Sequence, residues 1–339
     1  MLVSAIVLNW NNQGVIFDCL DSLLQQTYQP LEILLIDNGS SDGSLQQIEK
    51  RYPGSLTIIR NSKNLGFAGG VNIGIRHSRG AWIALLNSDA VVEKNWLEEM
   101  LKAAGRSDSI GMVACKIYLA GRDKVLDNTG EVLCRDGLNR ARGRLEIDRG
   151  QYDQSDDVFC PSGCAALYRR QLLDDVGGMD KYFFAYGEDM DIGLRGRFLG
   201  YTCIYVPSAV AHHRFSFSTG KVSPLKAYFV ERNRLWIVLK CFPSPHLFLS
   251  FFYTLARYFY ISLGIFSNRG PASSYVKEFS FFGLFFNLVK GYFSTLYYLP
   301  HLLKGRIALK RKSKCRKEFG SWLKKYGISI KQAALNELY

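Results

Sequence analysis

Acidic residues are nearly missing from the last third of this 339-residue chain: residues 226–339 contain 4 Asp or Glu against 19 Lys or Arg, whereas residues 1–225 contain 26 acids and 24 bases. The formal charge of +13 therefore sits in the C-terminal third, and the rest is a near-neutral globular body. A composition break of this size marks a candidate domain boundary at 225/226. The eight cysteines lack the paired Cys-x-x-Cys spacing of a zinc site, so reduced thiols in a cytosolic body are the simplest reading. Neither the Gly-x-Gly-x-x-Gly order of a dinucleotide fingerprint nor the Gly-Lys-Ser/Thr of a P-loop occurs. The opening MLVSAIVLNW has no basic n-region and no small-residue cleavage site, and reads as a first strand instead of a secretory signal. No internal repeat or low-complexity tract is present.

What is present is an alternation of apolar runs and helical patterns. Ser4 to Leu8 and LEILLID at 31–37 are β-branched, apolar runs, and between them Leu20, Leu23 and Leu24 recur at helical spacing. LTIIR at 56–60 and AWIALLN at 81–87 continue the series, with helical patterns near 43–51 and 69–78. Strand, helix, strand repetition predicts an α/β fold with a mostly parallel sheet and crossover helices. Ligands of such sheets sit beyond the carboxyl ends of the strands. The polar residues that follow each run are Asn9 and Asn11, then Asp37 and Asn38, then Asn61 and Asn64, then Asp89. These should converge on one site. Residues 105–158 have weak periodicity and receive no assignment.

Three stretches offer chemistry. In NLGFAGGVNIGI, 64–75, Gly66, Gly69 and Gly70 precede a helical stretch and would let a backbone approach a phosphate at a helix N-terminus, although glycine-rich stretches of this kind are more often plain turns. In YGEDMDIGLR, Glu188, Asp189 and Asp191 lie within four residues. Carboxylates so close raise one another's pKa unless a cation or helix dipole offsets them, which suits a general base or a metal neighbour, or else an acidic first helical turn. VPSAVAHHR ends an apolar run in His212 and His213. A carboxylate, an imidazole and substrate phosphates are the usual means of holding Mg²⁺ or Mn²⁺.

Taken in order, VLNWNN, LLIDNGSSDGS, NLGFAGGVNIGI, LLNSDA, SGCAALYRR, GGMDKYFFAYGEDMDIGLR and HHRFSFSTG resemble the motifs of glycosyltransferase family 2, its rhamnosyltransferase-like branch above all. The likeness spans about residues 3–235. It implies a GT-A fold, a nucleoside-diphosphate sugar donor (dTDP- or UDP-linked), a divalent metal and inversion at the anomeric carbon. By the same resemblance Asp37 reads the pyrimidine nucleoside, and Asn9, Asn11, Asn38, Asn64, Gly66, Asn72, Asn87 and Ser88 line the donor. Asn-Ser-Asp at 87–89 stands for the metal-binding Asp-x-Asp motif with its first acid replaced, which leaves Asp89 as the bridging carboxylate. His213 matches the metal-associated histidine better than His212, judged from Pro207 and the following RFSFSTG. Asp189, beside Glu188, matches the general base, and Asp191 falls on the acceptor side.

The C-terminal third concentrates aromatics: 19 Phe or Tyr fall between Phe242 and Tyr298. Arg257 and Lys290 interrupt its two apolar regions, so neither is an unbroken span of about 20 apolar residues. A charge at mid-bilayer is expensive, which favours helices in the interface over full spans. KGRIALKRKSKCRK at 304–317 then carries eight basic residues and no acid. Nucleic-acid binding is the rival reading of such a cluster, but its aromatic neighbour points to an anionic membrane surface and to no nucleic acid. Arg232 and Arg234, in SPLKAYFVERNRLW, either meet the diphosphate of a lipid carrier or brace the body by salt bridges. The resemblance implies a polyprenyl-diphosphate-linked acceptor at the cytoplasmic face of the inner membrane, with a peripheral or monotopic attachment. Rhamnosyl transfer in polysaccharide or O-antigen synthesis is the expected activity. Galactofuranosyl, glucosyl or N-acetylhexosaminyl transfer, and a non-catalytic membrane or nucleic-acid adaptor, are the alternatives.

Overall fold

A computed structural model describes residues 1–154, 156–214 and 223–336. These divide into two compact units, the first made of residues 1–130, 141–196 and 201–214, the second of 131–140, 197–200 and 223–336.

The first unit is built on one twisted sheet. Its parallel half comprises β1 (Val3–Asn9), β2 (Leu31–Asp37), β3 (Thr57–Arg60) and β4 (Trp82–Asn87). They are linked through α1 (Ile16–Leu24), α2 (Ser44–Arg51) and α3 (Gly66–His77). After β5 (Ala90–Val92) and α4 (Trp96–Ala104), the span without periodicity supplies β6 (Ile110–Leu119) and β7 (Leu126–Asn128). β8 (Ala165–Arg169), α5 (Glu188–Phe198) and β9 (Thr202–His213) follow. The order across the sheet is β9, β6, β8, β4, β1, β2, β3, with β5 on β9 and β7 on β6. β6 was illegible as a strand because nine of its ten residues are buried, so no polar alternation betrays it.

Register decides which residues meet. β1 and β2 pair so that Asn9 stands opposite Asp37, and β1 and β4 so that Leu8 stands opposite Asn87. The strand-end polar residues are thus brought to one edge by parallel pairing. At the far side, antiparallel pairing of β5 with β9 sets Ala90 against His213. Parallel pairing of β9 with β6 sets His213 against Leu119, and an irregular step in the β6–β7 ladder falls at Asp127.

In the second unit, α6 (Pro224–Cys241), α7 (Ser244–Phe266), α8 (Phe281–Tyr297), α9 (Leu299–Lys312) and α10 (Phe319–Lys325) are the main helices. A three-stranded sheet of Glu131–Cys134, Asn139–Ala141 and Gly327–Ile328 joins them. Its centre is ionic. Glu231 accepts from Arg234 and from both Nη2 contacts of Arg257 (2.9 and 2.7 Å), and Asp136 pairs with the same two arginines. Burial alone would raise the Glu231 carboxyl, but Arg234 and Arg257 outweigh it and hold the group far below the usual carboxylate range.

This corrects the expectation that Arg257 breaks the apolar stretch. Its guanidinium faces carboxylates inside the unit, so the outer face of α7 is left apolar, and among the described residues α7 is long and apolar enough to cross a membrane. The outward faces of α7 and α8 present Phe248, Phe252, Phe259, Phe282, Phe286 and Phe293, all more than half exposed.

Candidate active site

The metal-type pair is built by strand pairing. His213 Nε2 lies 3.3 Å from Asp89 Oδ1, and its Nδ1 lies 2.6 Å from Asp127 Oδ2. Asp127 in turn pairs with Arg144. Asp89, His213 and Asp127 are all buried. Burial opposes a charge on the ring, but the Cys164 sulfur and the Asp89 carboxylate outweigh it and raise His213 to about 10. His212 projects to the other face of the strand, where it meets Glu93 at 3.1 Å and stacks on Tyr118. The preference for His213 over His212 rested in part on residues 215–220, which lie outside the described residues.

These residues fit a divalent ion. A ligating histidine characteristically has its second nitrogen held by a carboxylate, as Asp127 holds Nδ1 here, and the facing Asp89 supplies a hard oxygen. Among the described residues no cluster of three or more His, Cys, Asp or Glu could hold a metal by itself. Asp89 and His213 as two protein ligands would leave the remaining positions to oxygen from substrate, which suits Mg²⁺ or Mn²⁺ and not a structural zinc. Asp127 was missed because it falls in the span where the sequence has no period. Its signal exists only in the β6–β7 register.

Asp189 is reached through a single dipeptide. Its Oδ2 accepts from the backbone N–H of Gly163 (3.3 Å) and its Oδ1 from that of Met190 (2.7 Å). The next residue, Cys164, places its side chain against His213 and its carbonyl on the N–H of Asn87 (2.8 Å). Consecutive α-carbons are 3.8 Å apart, so Gly163–Cys164 ties the ED carboxylate to the Asn-Ser-Asp turn and the histidine. Burial raises the Asp189 carboxyl above its ordinary value, against the two N–H bonds. Glu188 is buried beside it, its Oε1 3.6 Å from where a Cβ on Gly163 would stand.

A strained turn delivers this pair. Phe184 and Tyr186 have φ of +67° and +69°, ahead of Gly187 at +84°. The Phe184 carbonyl accepts from Ala68 N–H (3.2 Å), and a Cβ on Gly66 (φ +74°) would stand 2.5 Å from that oxygen. Gly66 therefore serves close packing of the α3 start against the 184–187 turn. Asn72 clamps the preceding loop, donating to Met179 O (2.7 Å) and accepting from Met179 N–H (2.9 Å). Asp191 is fully buried on Arg195, whose other nitrogens donate to the carbonyls of Val176 and Gly178. Both residues brace the turn that carries Asp189.

At the β1–β2 end, Asp37 Oδ2 accepts from the N–H groups of Gly39 and Ser40 (3.1 Å each), and Oδ1 from Asn9 Nδ2 (3.0 Å). Asn9 Nδ2 also lies 2.8 Å from Ser44 Oγ. Asn11, at φ +54°, accepts from Ser41 N–H (2.8 Å). Asn38 donates to Gly66 O (3.1 Å) and accepts from Asn61 (2.9 Å), while Asn64 accepts from Gly66 N–H (2.8 Å). Ser88 accepts from Asn12 (2.7 Å), a residue the sequence reading passed over, and Asn87 is half-buried at the end of β4. The asparagines thus knit the loops after β1, β2 and β3 into one rim.

Arg232 and Arg234 belong to the second unit. Arg234 is almost fully buried against Glu231 and Asp136, which is the bracing geometry. Arg232 is buried over the Trp236 ring, 4.2 Å from its centroid.

Residues 4–177 match the sequence pattern of Glycosyl transferase family 2. An N-acetylglucosaminyl-diphospho-decaprenol L-rhamnosyltransferase of Mycobacterium tuberculosis is 30% identical over 227 residues, covering 60% of this chain and 72% of that protein. Among solved structures, GalNAc-T7 with UDP, GalNAc and Mn²⁺ superposes with a TM-score of 0.58 at 16% identity, over 73% of this chain and 49% of that one. A mannosyltransferase from Pyrobaculum calidifontis, in complex with GDP-Man and Mn²⁺, gives a TM-score of 0.54 at 17% identity, over 93% of this chain and 86% of that one. Both likenesses are of fold, the GT-A architecture. With the family pattern spanning half of the sequence and the rhamnosyltransferase at 30% identity, the chain belongs to glycosyl transferase family 2.

Proposed function

We propose that this glycosyltransferase is a metal-dependent, inverting enzyme that moves L-rhamnose from dTDP-rhamnose to a polyprenyl-diphosphate-linked glycan, at the cytoplasmic face of the plasma membrane, in polysaccharide or O-antigen assembly. The observation that carries the mechanism is the Gly163–Cys164 link, which holds a buried carboxylate of raised pKa close to the Asp89–His213 pair. The name of the M. tuberculosis relative supports the sugar and the lipid-linked acceptor. The exposed phenylalanines of α7 and α8, together with the basic α9, support attachment to a membrane.

In this reading Asp189 takes the proton of the acceptor hydroxyl. That oxygen attacks the anomeric carbon, the bond from that carbon to the diphosphate breaks, and configuration inverts. One base is enough, because the leaving nucleoside diphosphate needs charge neutralisation and not a proton. Asp89 and His213 would hold the Mg²⁺ or Mn²⁺ that supplies this neutralisation. Asp37 and its rim orient the nucleoside, and the Gly163 N–H keeps the Asp189 carboxylate aimed.

The test is turnover by purified protein across dTDP-, UDP- and GDP-sugars with Mn²⁺ and a short polyprenyl-diphosphate acceptor. Transfer from dTDP-rhamnose alone, lost in Asp189→Asn while nucleotide binding persists, is the expected result. Preference for a UDP-hexose would retire the rhamnosyl reading and keep the mechanism. Full activity in Asp189→Asn would retire the mechanism.

A further inference from the structure

The second unit contains a cavity of about 300 Å³ whose walls include the first turns of α7, the helix α10 and Arg135 next to the strand Glu131–Cys134. Arg135, Lys324 and Ser321 face it, and among the described residues no carboxylate lines it. Arg135 Nη1 donates to Tyr253 Oη (2.9 Å), and its guanidinium sits 5.4 Å from that ring's centroid. The aromatic contact orients the fork without neutralising it. Burial and the Arg135 charge both push the His246 ring below its ordinary pKa, as expected of a site with excess positive potential and no counter-charge. A forked guanidinium and an ammonium are the complement of a phosphate, while the Ser321 hydroxyl donates to the Glu318 carbonyl (2.7 Å) and only completes the wall.

The surroundings point to a phosphate that carries apolar chains. At 100° per residue, His246, Leu249 and Tyr253 share the cavity face of α7, and Phe248, Phe252, Leu255 and Phe259 fall on the outer face that adjoins it. Leu249 itself is 45% exposed, and those four are 67%, 52%, 52% and 61% exposed. The cavity, with Arg135 and Lys324 in a mostly apolar wall, therefore opens beside a continuous apolar stripe, an arrangement that a free anion would not use. We propose that this cavity binds the phosphate head of an anionic amphiphile whose chains lie along the outer face of α7. The chains rest on the membrane reading above; the phosphate contact does not.

The experiment uses the full chain in maltoside micelles, titrated with dihexanoyl phosphatidic acid, dihexanoyl phosphatidylcholine or inorganic phosphate. Calorimetry reads binding, and NMR of labelled histidine reads the His246 midpoint. Saturable binding of phosphatidic acid at one site, a raised His246 midpoint, and at least tenfold weaker binding in Lys324→Glu are expected. Lys324 is exposed, so that variant keeps the fold. Phosphate or phosphatidylcholine binding as tightly as phosphatidic acid would overturn the assignment, the first by favouring a free anion and the second by removing the charge requirement. So would an unmoved His246 or an indifferent Lys324→Glu, either of which would assign anionic attraction to the basic α9 instead. Flotation on phosphatidylcholine vesicles is scored separately: a chain that does not float yet binds phosphatidic acid in the cavity refutes attachment and leaves this site standing.

Discussion

Nδ1 of His213 lies 2.6 Å from Oδ2 of Asp127, which stands 86 positions earlier in the chain. The bond aims the opposite ring nitrogen at Asp89. A carboxylate in that position orients an imidazole and increases its basicity as a ligand. Asp127→Asn should weaken Mn²⁺ binding about 10- to 100-fold, read by the paramagnetic signal of free Mn²⁺. High metal concentration should restore much of the activity.

Asp189 predicts opposite movements of stability and rate. Its folded pKa is raised by burial, so it favours the fold at low pH, and that contribution fades as pH rises from the unfolded value, about 3.9, through the folded one. Above that the ionised carboxylate costs stability. Asp189→Asn should melt at the same or a higher temperature than wild type at neutral pH, while turnover falls about 10²- to 10⁴-fold. The wild-type rate should decline with falling pH through the raised pKa, at higher pH than an ordinary aspartate would give. Calorimetry and a pH–rate profile check both limbs.

Gly66→Ala places a methyl 2.5 Å from Phe184 O at a φ of +74°. Left-handed strain alone costs of order 1–3 kcal/mol, and the clash displaces the turn that carries Glu188 and Asp189. A lower denaturation midpoint together with lost activity is expected. Gly43→Ala is the control: it has a similar φ of +80° but open space around it, and should lose stability without losing rate.

In the second unit, Glu231→Gln leaves two buried arginines with Asp136 as their remaining acid. Removing one member of a buried ionic cluster costs about 3–5 kcal/mol, so the thermal transition in detergent should fall by several degrees or lose cooperativity. A variant that melts with wild type would show that water reaches the cluster.

Phe252→Ser and Phe259→Ser remove side chains from the outer face of α7. Each buried phenylalanine is worth about 1.5–3 kcal/mol in apolar surroundings, so each change should reduce vesicle partitioning roughly tenfold or more in a flotation assay. Equal flotation would mean that α7 does not enter the lipid.

The α/β alternation, the parallel strands from Val3 to Asn87 and the polar residues at their carboxyl ends were legible in the chain itself. Those features are local: a strand's period, a helix's spacing and a polar residue at the end of an apolar run all lie within a few positions of one another. Asp89, the Glu188–Asp191 cluster and the His212–His213 pair stand out for the same reason, each ending or beginning a recognisable run, whereas Asp189 and His213 are singled out within them by the family resemblance. What brings them together is not local. Asp127 reaches His213 through two strand pairings, and Gly163 and Cys164 connect Asp189 to the histidine because β8 runs antiparallel between β4 and β6. Asn72 and Asp191, which look like ligand groups in the sequence, spend their polar atoms on Met179 and Arg195. Arg257 reads as an interruption of an apolar helix and is instead an inward-facing partner of Asp136 and Glu231. The sequence determined which residues can ionise, coordinate or meet lipid. The tertiary structure decided which of them are already satisfied, because a buried polar group must find its partner wherever the register places one.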